Sequence, residues 1–198
     1  ALLSAAGLPI YIHAPKFYVD EFGVSLGALG AVLFALRLLD VVQDPLLGKL
    51  AAVTASARGF AVALGVLILC GGMIGLFAIK PMFSPVLWFA IMLTLVFSAF
   101  SFLTISFYAQ GVGKADGMAK GGHLRLARWR ETGALLGVCL ASIAPFLFIS
   151  IMDAEFTGFA VSFAILGFIA VVLMRGEWRN VMPTAGPGFR TILQDIYA

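Results

Sequence analysis

The stretch from Arg37 to Gly48, which reads RLLDVVQDPLLG, places one cation and two carboxylates inside a run that is otherwise apolar from about Leu26 to Ala52. A helix of about 20 residues, rising about 1.5 Å per residue, covers roughly 30 Å and can cross the hydrocarbon of a bilayer. A charge near the middle of such a helix costs at least about 2.5–3.5 kcal/mol. The stretch therefore predicts a membrane helix whose charges need one another, a bound ion or a watery cavity.

The three charges share one face of this helix. At about 100° per residue, Arg37, Asp40 and Asp44 fall within a stripe roughly 60° wide, which carries a net charge of minus one. Two carboxylates at this spacing can hold a small hard cation such as Na⁺, and Pro45 leaves the carbonyl of Val41 without its helical donor. A simpler interpretation stays open, in which an Arg–Asp pair orients the helix and the proline only bends it.

Composition assigns the chain to the polytopic membrane proteins. Of its 198 residues, 62% are hydrophobic and 12% are charged, which is more apolar surface than a soluble domain of this length can bury. The net charge of +3 comes with no basic stripe interleaved with aromatic residues, which argues against a nucleic-acid partner. Cys70 and Cys139 lie in apolar runs without a C-x-x-C pattern, so neither a disulfide nor a metal pair is expected.

Six apolar segments predict an all-α membrane protein with six transmembrane helices. Acidic residues lie in the connections between spans one and two and between spans five and six, whereas the connections on the other side are basic. The positive-inside rule then places the basic connections and the N-terminus in the cytoplasm. We expect residues 1–174 to form the bundle and residues 175–198 to form a cytoplasmic loop and the possible start of a second half. The predicted spans are Leu2–Val19, Ser25–Ala52, Phe60–Ile79, Pro85–Gln110, Gly122–Met152 and Gly158–Met174.

The first and third spans carry features with structural or functional interpretations. Tyr11 and Tyr18 are seven residues apart, which predicts a shared face that lines a solute cavity. His13 lies deep in the same span between two prolines that predict a kink, and it is a candidate cavity residue for a proton relay or for solute binding. Interfacial aromatics and a satisfied core histidine explain these residues as well.

In the third span, Gly71 and Gly75 form a G-x-x-x-G pattern, which predicts close helix packing rather than chemistry.

Polar residues in the fourth and fifth spans are further cavity candidates. Ser101, Thr104 and Tyr108 share a helical face and offer hydroxyl groups that can bond across helices or line a wet cavity. Arg130 opens the apolar part of the fifth span. Its guanidinium could balance the surplus negative charge of the second span, bind an acidic solute in a bidentate manner, or anchor a lipid phosphate.

The motif R-x-x-D-x-x-x-D-P-x-x-G, together with the residues 19–27 that precede it, resembles the glycoside–pentoside–hexuronide:cation symporters, the melibiose-permease-like branch of the major facilitator superfamily. The resemblance extends over the whole chain, which corresponds to the N-terminal half of a twelve-helix transporter. It implies a C-terminal six-helix half in the same or a second chain. In that family the two aspartates bind the coupling Na⁺, Li⁺ or proton. The resemblance thus implies Asp40 and Asp44 as the coupling-ion site, with no other cofactor.

The same resemblance shows where this chain departs from the family. In an alignment with the family, Thr104 lies near the position of a sugar-binding aspartate, and Ser4 lies roughly at the position of a second sugar-binding acid. Both acids are missing here, which argues against a galactoside-like substrate. Tyr108 stands where the family carries an aromatic that stacks on the sugar, and Arg130 matches an arginine in or beside the substrate cavity. The connection from Lys49 to Arg58 lacks the acid of the usual facilitator signature at the cytoplasmic gate.

Two functions are therefore expected from different classes. The first is a cation-coupled secondary transporter, driven by Na⁺ or H⁺ in a bacterial cytoplasmic membrane, that carries a sugar-like or other small organic solute. The second is a non-transporting assembly or scaffold subunit with a facilitator-like half fold. An enzyme is not expected, because the sequence contains no nucleophile with its base, no metal-ligand cluster and no cofactor loop.

Overall fold

The computed structural model describes residues 2–118, 121–152 and 155–178, and every regular element in these ranges is helical. The predicted all-α class is thus confirmed for this part of the chain. The predicted cytoplasmic loop lies outside the described residues beyond Trp178. The elements are α1 (Leu2–Leu8), a π-helical turn (Pro9–His13), α2 (Ala14–Phe22), α3 (Leu26–Val53), a 3₁₀ turn (Thr54–Ala57), α4 (Arg58–Phe77), α5 (Pro85–Asp116), α6 (Gly122–Met152) and α7 (Glu155–Met174).

Three segments of the described chain are long and apolar enough to cross a membrane. They are Leu26–Phe77, Pro85–Asp116 and Phe156–Met174, and the first of them contains both α3 and α4. Most helix ends lie within a few residues of the predicted spans, and α6 has the predicted bounds. Six crossings of the membrane stay a prediction.

Local chemistry explains how the charged helix α3 begins. Gly23 ends α2 with a φ of 63°, a left-handed conformation that glycine adopts without a steric cost, and its N–H donates to the carbonyl of Val19 at 3.1 Å. Ser25 then caps α3, because its hydroxyl accepts from the N–H of Ala28 at 3.2 Å. The turn between α2 and α3 is therefore short, and it fixes the residue at which α3 begins.

The first span is interrupted between its two prolines, as their positions predict. The wider π-helical turn from Pro9 to His13 separates α1 from α2, and Pro15 follows in the first turn of α2, where its missing N–H needs no helical partner. A π-helical turn inserts about one residue relative to an α-helix and so rotates the following residues about the axis. Side chains before and after this turn therefore do not keep α-helical spacing.

Helix α4 packs against α5 and α7, while α5 also packs against α3 and α1 packs against α6. Glycines bring α4 close to α5. A Cβ on Gly72 would lie 2.6 Å from the Cγ2 atom of Val96, and one on Gly75 would lie 2.5 Å from the Sδ atom of Met92. Gly71 faces open space instead. The predicted close packing is present, but Gly72 and Gly75 make it rather than the Gly71–Gly75 pair.

We expect Gly72→Leu to lower the stability of the bundle by about 1–3 kcal/mol, because the new side chain overlaps Val96 and forces α4 and α5 apart. Gly71→Leu is the matched control, since it adds the same side chain one residue away where nothing lies within 4 Å. Thermal unfolding in detergent measures both variants. Equal loss of stability in the two variants would contradict the packing described here.

Candidate functional site

The guanidinium of Arg37 lies at the centre of a cluster that joins α3, α5 and the π-helical turn. It forms an ion pair with Asp40, in which Nη1 and Oδ2 are 3.3 Å apart, and it donates a hydrogen bond to the hydroxyl of Tyr11. Its Cζ atom also lies 5.0 Å from the ring centroid of Tyr11 and 5.6 Å from that of Phe97. Cation–π contacts of this kind hold a guanidinium in one place. The cluster therefore fixes the cation beside the first of the two carboxylates.

The two carboxylates of α3 have different environments. The side chain of Asp40 is 15% exposed, whereas that of its partner Arg37 is 59% exposed. Asp44, one helical turn further along, is exposed, and within the described part of the chain its side chain makes no hydrogen bond or ion pair. Pairing with Arg37 thus neutralises Asp40 and leaves Asp44 as the surplus negative charge of the stripe.

Gln43 is a polar residue of this region that the sequence reasoning missed. Its Oε1 atom accepts a hydrogen bond from the hydroxyl of Ser98 at 3.0 Å, and the same hydroxyl donates to the carbonyl of Thr94 at 2.7 Å. The contact ties α3 to α5 between the positions of the two carboxylates. An amide inside an apolar run is the signal that could have identified it, since such a group needs a partner at membrane depth.

The hydroxyl face of α5 runs from this cluster towards the other end of the helix. Ser101 and Thr104 are half-buried and Tyr108 is exposed. The hydroxyl of Thr104 is buried and has no hydrogen-bond partner among residues 2–118, 121–152 and 155–178. With Phe97, these residues recur at helical spacing, so they form one stripe. The stripe offers an unused hydroxyl and an aromatic face along a single side of α5.

Arg130 lies at the far end of this stripe and not beside the carboxylates of α3. Its Cζ atom is 4.8 Å from the ring centroid of Tyr108, and its Nε and Nη2 atoms lie 3.0 Å and 2.6 Å from Oε1 of Glu131. The expectation that Arg130 balances Asp40 and Asp44 is therefore not met in this structure. Helix α6, which carries Arg130, packs against α1, α5 and α7, and the carboxylate of the neighbouring Glu131 pairs with Arg130.

Tyr18 and His13 do not lie with Tyr11 at the cluster. Tyr18 is completely buried, with its ring centroid 4.8 Å from that of Phe89. His13 is half-buried, with its ring 6.1 Å from that of Phe156. Tyr11 and Tyr18 both contact phenylalanine rings of α5, with Tyr11 5.6 Å from Phe97 and Tyr18 4.8 Å from Phe89, and a cavity-lining role of the two tyrosines stays a prediction. Tyr11 contacts the charged cluster through Arg37 and Phe97.

A family model described as MFS/sugar transport protein matches residues 1–184. The chain belongs to this major facilitator family. No curated protein and no solved structure matched the chain. Membership confirms the superfamily part of the predicted resemblance, and with the apolar helices it identifies an integral membrane protein of a transporter family rather than an enzyme family. The melibiose-permease-like branch stays a prediction.

Proposed function

We propose that this major facilitator chain is the N-terminal half of a cation-coupled transporter, with Asp40 and Asp44 as the site of a coupling Na⁺ or H⁺. One observation carries the proposal. Arg37 neutralises the covered carboxylate of Asp40, while Asp44 keeps an unpaired charge on a helix that is apolar enough to span a membrane. An unpaired carboxylate at membrane depth is costly, so a bound cation or proton stabilises it.

The surroundings of the pair support binding of a small ion rather than of a large organic cation. The guanidinium of Arg37 already occupies one side of Asp40 and is held by two rings, so the carboxylates are open to an ion on the remaining side. Within the described residues, no group of three or more His, Cys, Asp or Glu side chains could hold a metal ion. A sodium ion would then complete its oxygen shell from water, hydroxyls or backbone carbonyls, which suits a hard and weakly bound cation.

The solute would bind along the hydroxyl face of α5, which begins beside Arg37 and ends beneath Arg130. The exposed ring of Tyr108 supplies an apolar surface on which a sugar ring can stack, and the half-buried side chains of Ser101 and Thr104 add hydroxyl groups on the same face. Small polar groups on an otherwise apolar wall are typical of solute sites. These features support a sugar-like or other small organic solute, with a C-terminal half in the same or a second chain forming the opposite wall.

Coupling follows from the charge of the site. A coupling ion removes the surplus negative charge of Asp44 and so favours the state in which the cavity closes around solute and ion, since an ion can shift an equilibrium only by its differential affinity for the two states. Alternating access would then proceed by movement of this half against its partner half.

An uptake panel tests the proposal directly. In vesicles that contain this chain together with its C-terminal half, we expect accumulation of one class among sugars, uronides, other organic acids and lysolipids to require an inward gradient of Na⁺ or of protons. The expected gain over gradient-free vesicles is at least about tenfold, because a tenfold ion gradient supplies about 1.4 kcal/mol. Accumulation that is independent of both gradients would contradict ion coupling. Absence of uptake for every solute class would favour the alternative of a non-transporting scaffold subunit.

A further inference from the structure

A second polar cluster lies at the end of the bundle that the positive-inside rule assigns to the cytoplasm. It joins the first turn of α4, the last turns of α5 and the residues that follow α7. The amide of Gln110 lies at its centre: Oε1 accepts from Nη1 of Arg58 at 2.9 Å, and Nε2 donates to the backbone carbonyl of Glu177 at 2.7 Å. Both ends of one buried amide are thus used, which fixes its orientation.

Two further contacts attach the segment after α7 to the same place. The carboxylate of Glu177 forms an ion pair with the ammonium of Lys114, one turn beyond Gln110 on α5. The side chain of Trp178 packs over Gly59, since a Cβ on that glycine would lie 3.4 Å from the Cβ atom of the tryptophan. Hydrogen bonding, charge and packing therefore converge on Glu177 and Trp178, directly after α7.

This cluster contains a buried cation, the guanidinium of Arg58. Arg58 is 9% exposed, yet its only hydrogen-bond acceptor in the described chain is the neutral amide of Gln110, and its Nε atom has no acceptor there. The connection from Lys49 to Arg58 has no acid of its own. The carbonyl of Glu177 accepts from the Gln110 amide and so turns the amide oxygen towards the buried guanidinium of Arg58, while the carboxylate of Glu177 pairs with Lys114.

We propose that Arg58, Gln110, Lys114, Glu177 and Trp178 form a cytoplasmic clasp, which joins the first turn of α4 and the last turns of α5 to the residues after α7. The clasp holds the cytoplasmic ends of α4 and α5 to the residues that follow α7, so that these helix ends move together. Its role in transport rests on the proposed function, whereas its role in holding the helix ends together does not.

Hydrogen–deuterium exchange on the full chain in lipid nanodiscs tests the clasp without any solute. We expect Glu177→Gln to speed amide exchange in residues 110–116 and 175–178 by about threefold, since partly exposed ion pairs stabilise modestly. Gln110→Ala, which leaves Arg58 buried without its acceptor, should speed it by at least about tenfold. The exchanged pair Lys114→Glu with Glu177→Lys should restore slow exchange, because the ion pair re-forms with reversed charges.

Arg175→Gln is the matched control, because it removes a charge from the same segment and Arg175 makes no hydrogen bond or ion pair in the described chain. Unchanged exchange in both Glu177→Gln and Gln110→Ala would overturn the clasp, and so would equal effects of Glu177→Gln and Arg175→Gln. In vesicles, Glu177→Gln should lower the initial uptake rate by at least about threefold, with recovery in the exchanged pair. Faster exchange with an unchanged uptake rate would overturn the role in transport.

The two proposals can fail separately. If the unaltered chain shows no ion-dependent uptake, the coupled-transporter proposal is contradicted, while the exchange comparison still supports or overturns the clasp. If uptake depends on ions and the exchange of all variants is the same as that of the unaltered chain, the clasp alone is wrong.

Discussion

Asp44→Asn is expected to weaken binding of the coupling cation by about 10- to 100-fold and to remove ion-driven accumulation of solute. The estimate follows from the about 1.5–3 kcal/mol that a hydrogen bond or contact to a charged group contributes. Asparagine keeps the size of the side chain but not its charge, and Asp44 is the carboxylate of the stripe that Arg37 leaves unpaired. Binding of radioactive sodium to the purified protein, and uptake in vesicles with varied Na⁺ and pH, measure the two effects.

Asp20→Asn is the control for Asp44→Asn, because it makes the same chemical change at an exposed carboxylate that pairs with Lys16 at 3.4 Å. We expect this control to bind and transport as the unaltered chain does, since exposed ion pairs contribute little. Asp40→Asn should resemble Asp44→Asn in uptake, and both variants should still insert into the membrane. Ion-dependent uptake that survives Asp44→Asn would show that the aspartates only orient the helix, as the simpler interpretation of the sequence holds.

Much of the helical framework was predictable from the sequence because apolar length decides it. The bounds of α6 agree with the predicted fifth span, and α3 differs from the second by one residue at each end. Hydropathy reports where a helix can lie in lipid, but it carries less information on which face packs. The choice between Gly71 and Gly72 as the contact with α5 depends on helix rotation, and a G-x-x-x-G pattern alone does not fix that rotation.

The candidate site was predictable only where it depends on one helix. Arg37 and Asp40 are three residues apart on α3, so their ion pair follows from helical spacing. The contacts of Arg37 with Tyr11 and Phe97 depend on how α1, α3 and α5 assemble, and sequence spacing carries no information on that. The π-helical turn that carries Tyr11 was not predictable either, since prolines signal an irregular helix but not the kind of irregularity.

Arg37→Leu is expected to make the stability of the protein depend strongly on cations. The change leaves the carboxylate of Asp40, which is 15% exposed, without its counterion. It also removes the guanidinium that donates a hydrogen bond to the hydroxyl of Tyr11. We expect a loss of about 1–3 kcal/mol in low salt, less than for a fully buried ion pair because the side chain of Arg37 is more than half exposed. Saturating Na⁺ should restore most of this loss, since a ligand that binds only the folded state stabilises it by mass action.

The decisive measurement compares melting temperatures with and without Na⁺, at constant ionic strength set by choline chloride. The difference should be larger in Arg37→Leu than in the unaltered chain, because sodium then replaces the guanidinium beside Asp40. Lys16→Leu is the matched control, since it breaks an ion pair in which both side chains are exposed and should cost less than about 1 kcal/mol at any salt. If sodium raised the melting temperature of neither the unaltered chain nor Arg37→Leu, no ion would approach Asp40. The surplus charge of Asp44 would then have no bound cation to balance it, and the coupling-ion site would have to be sought elsewhere in the protein.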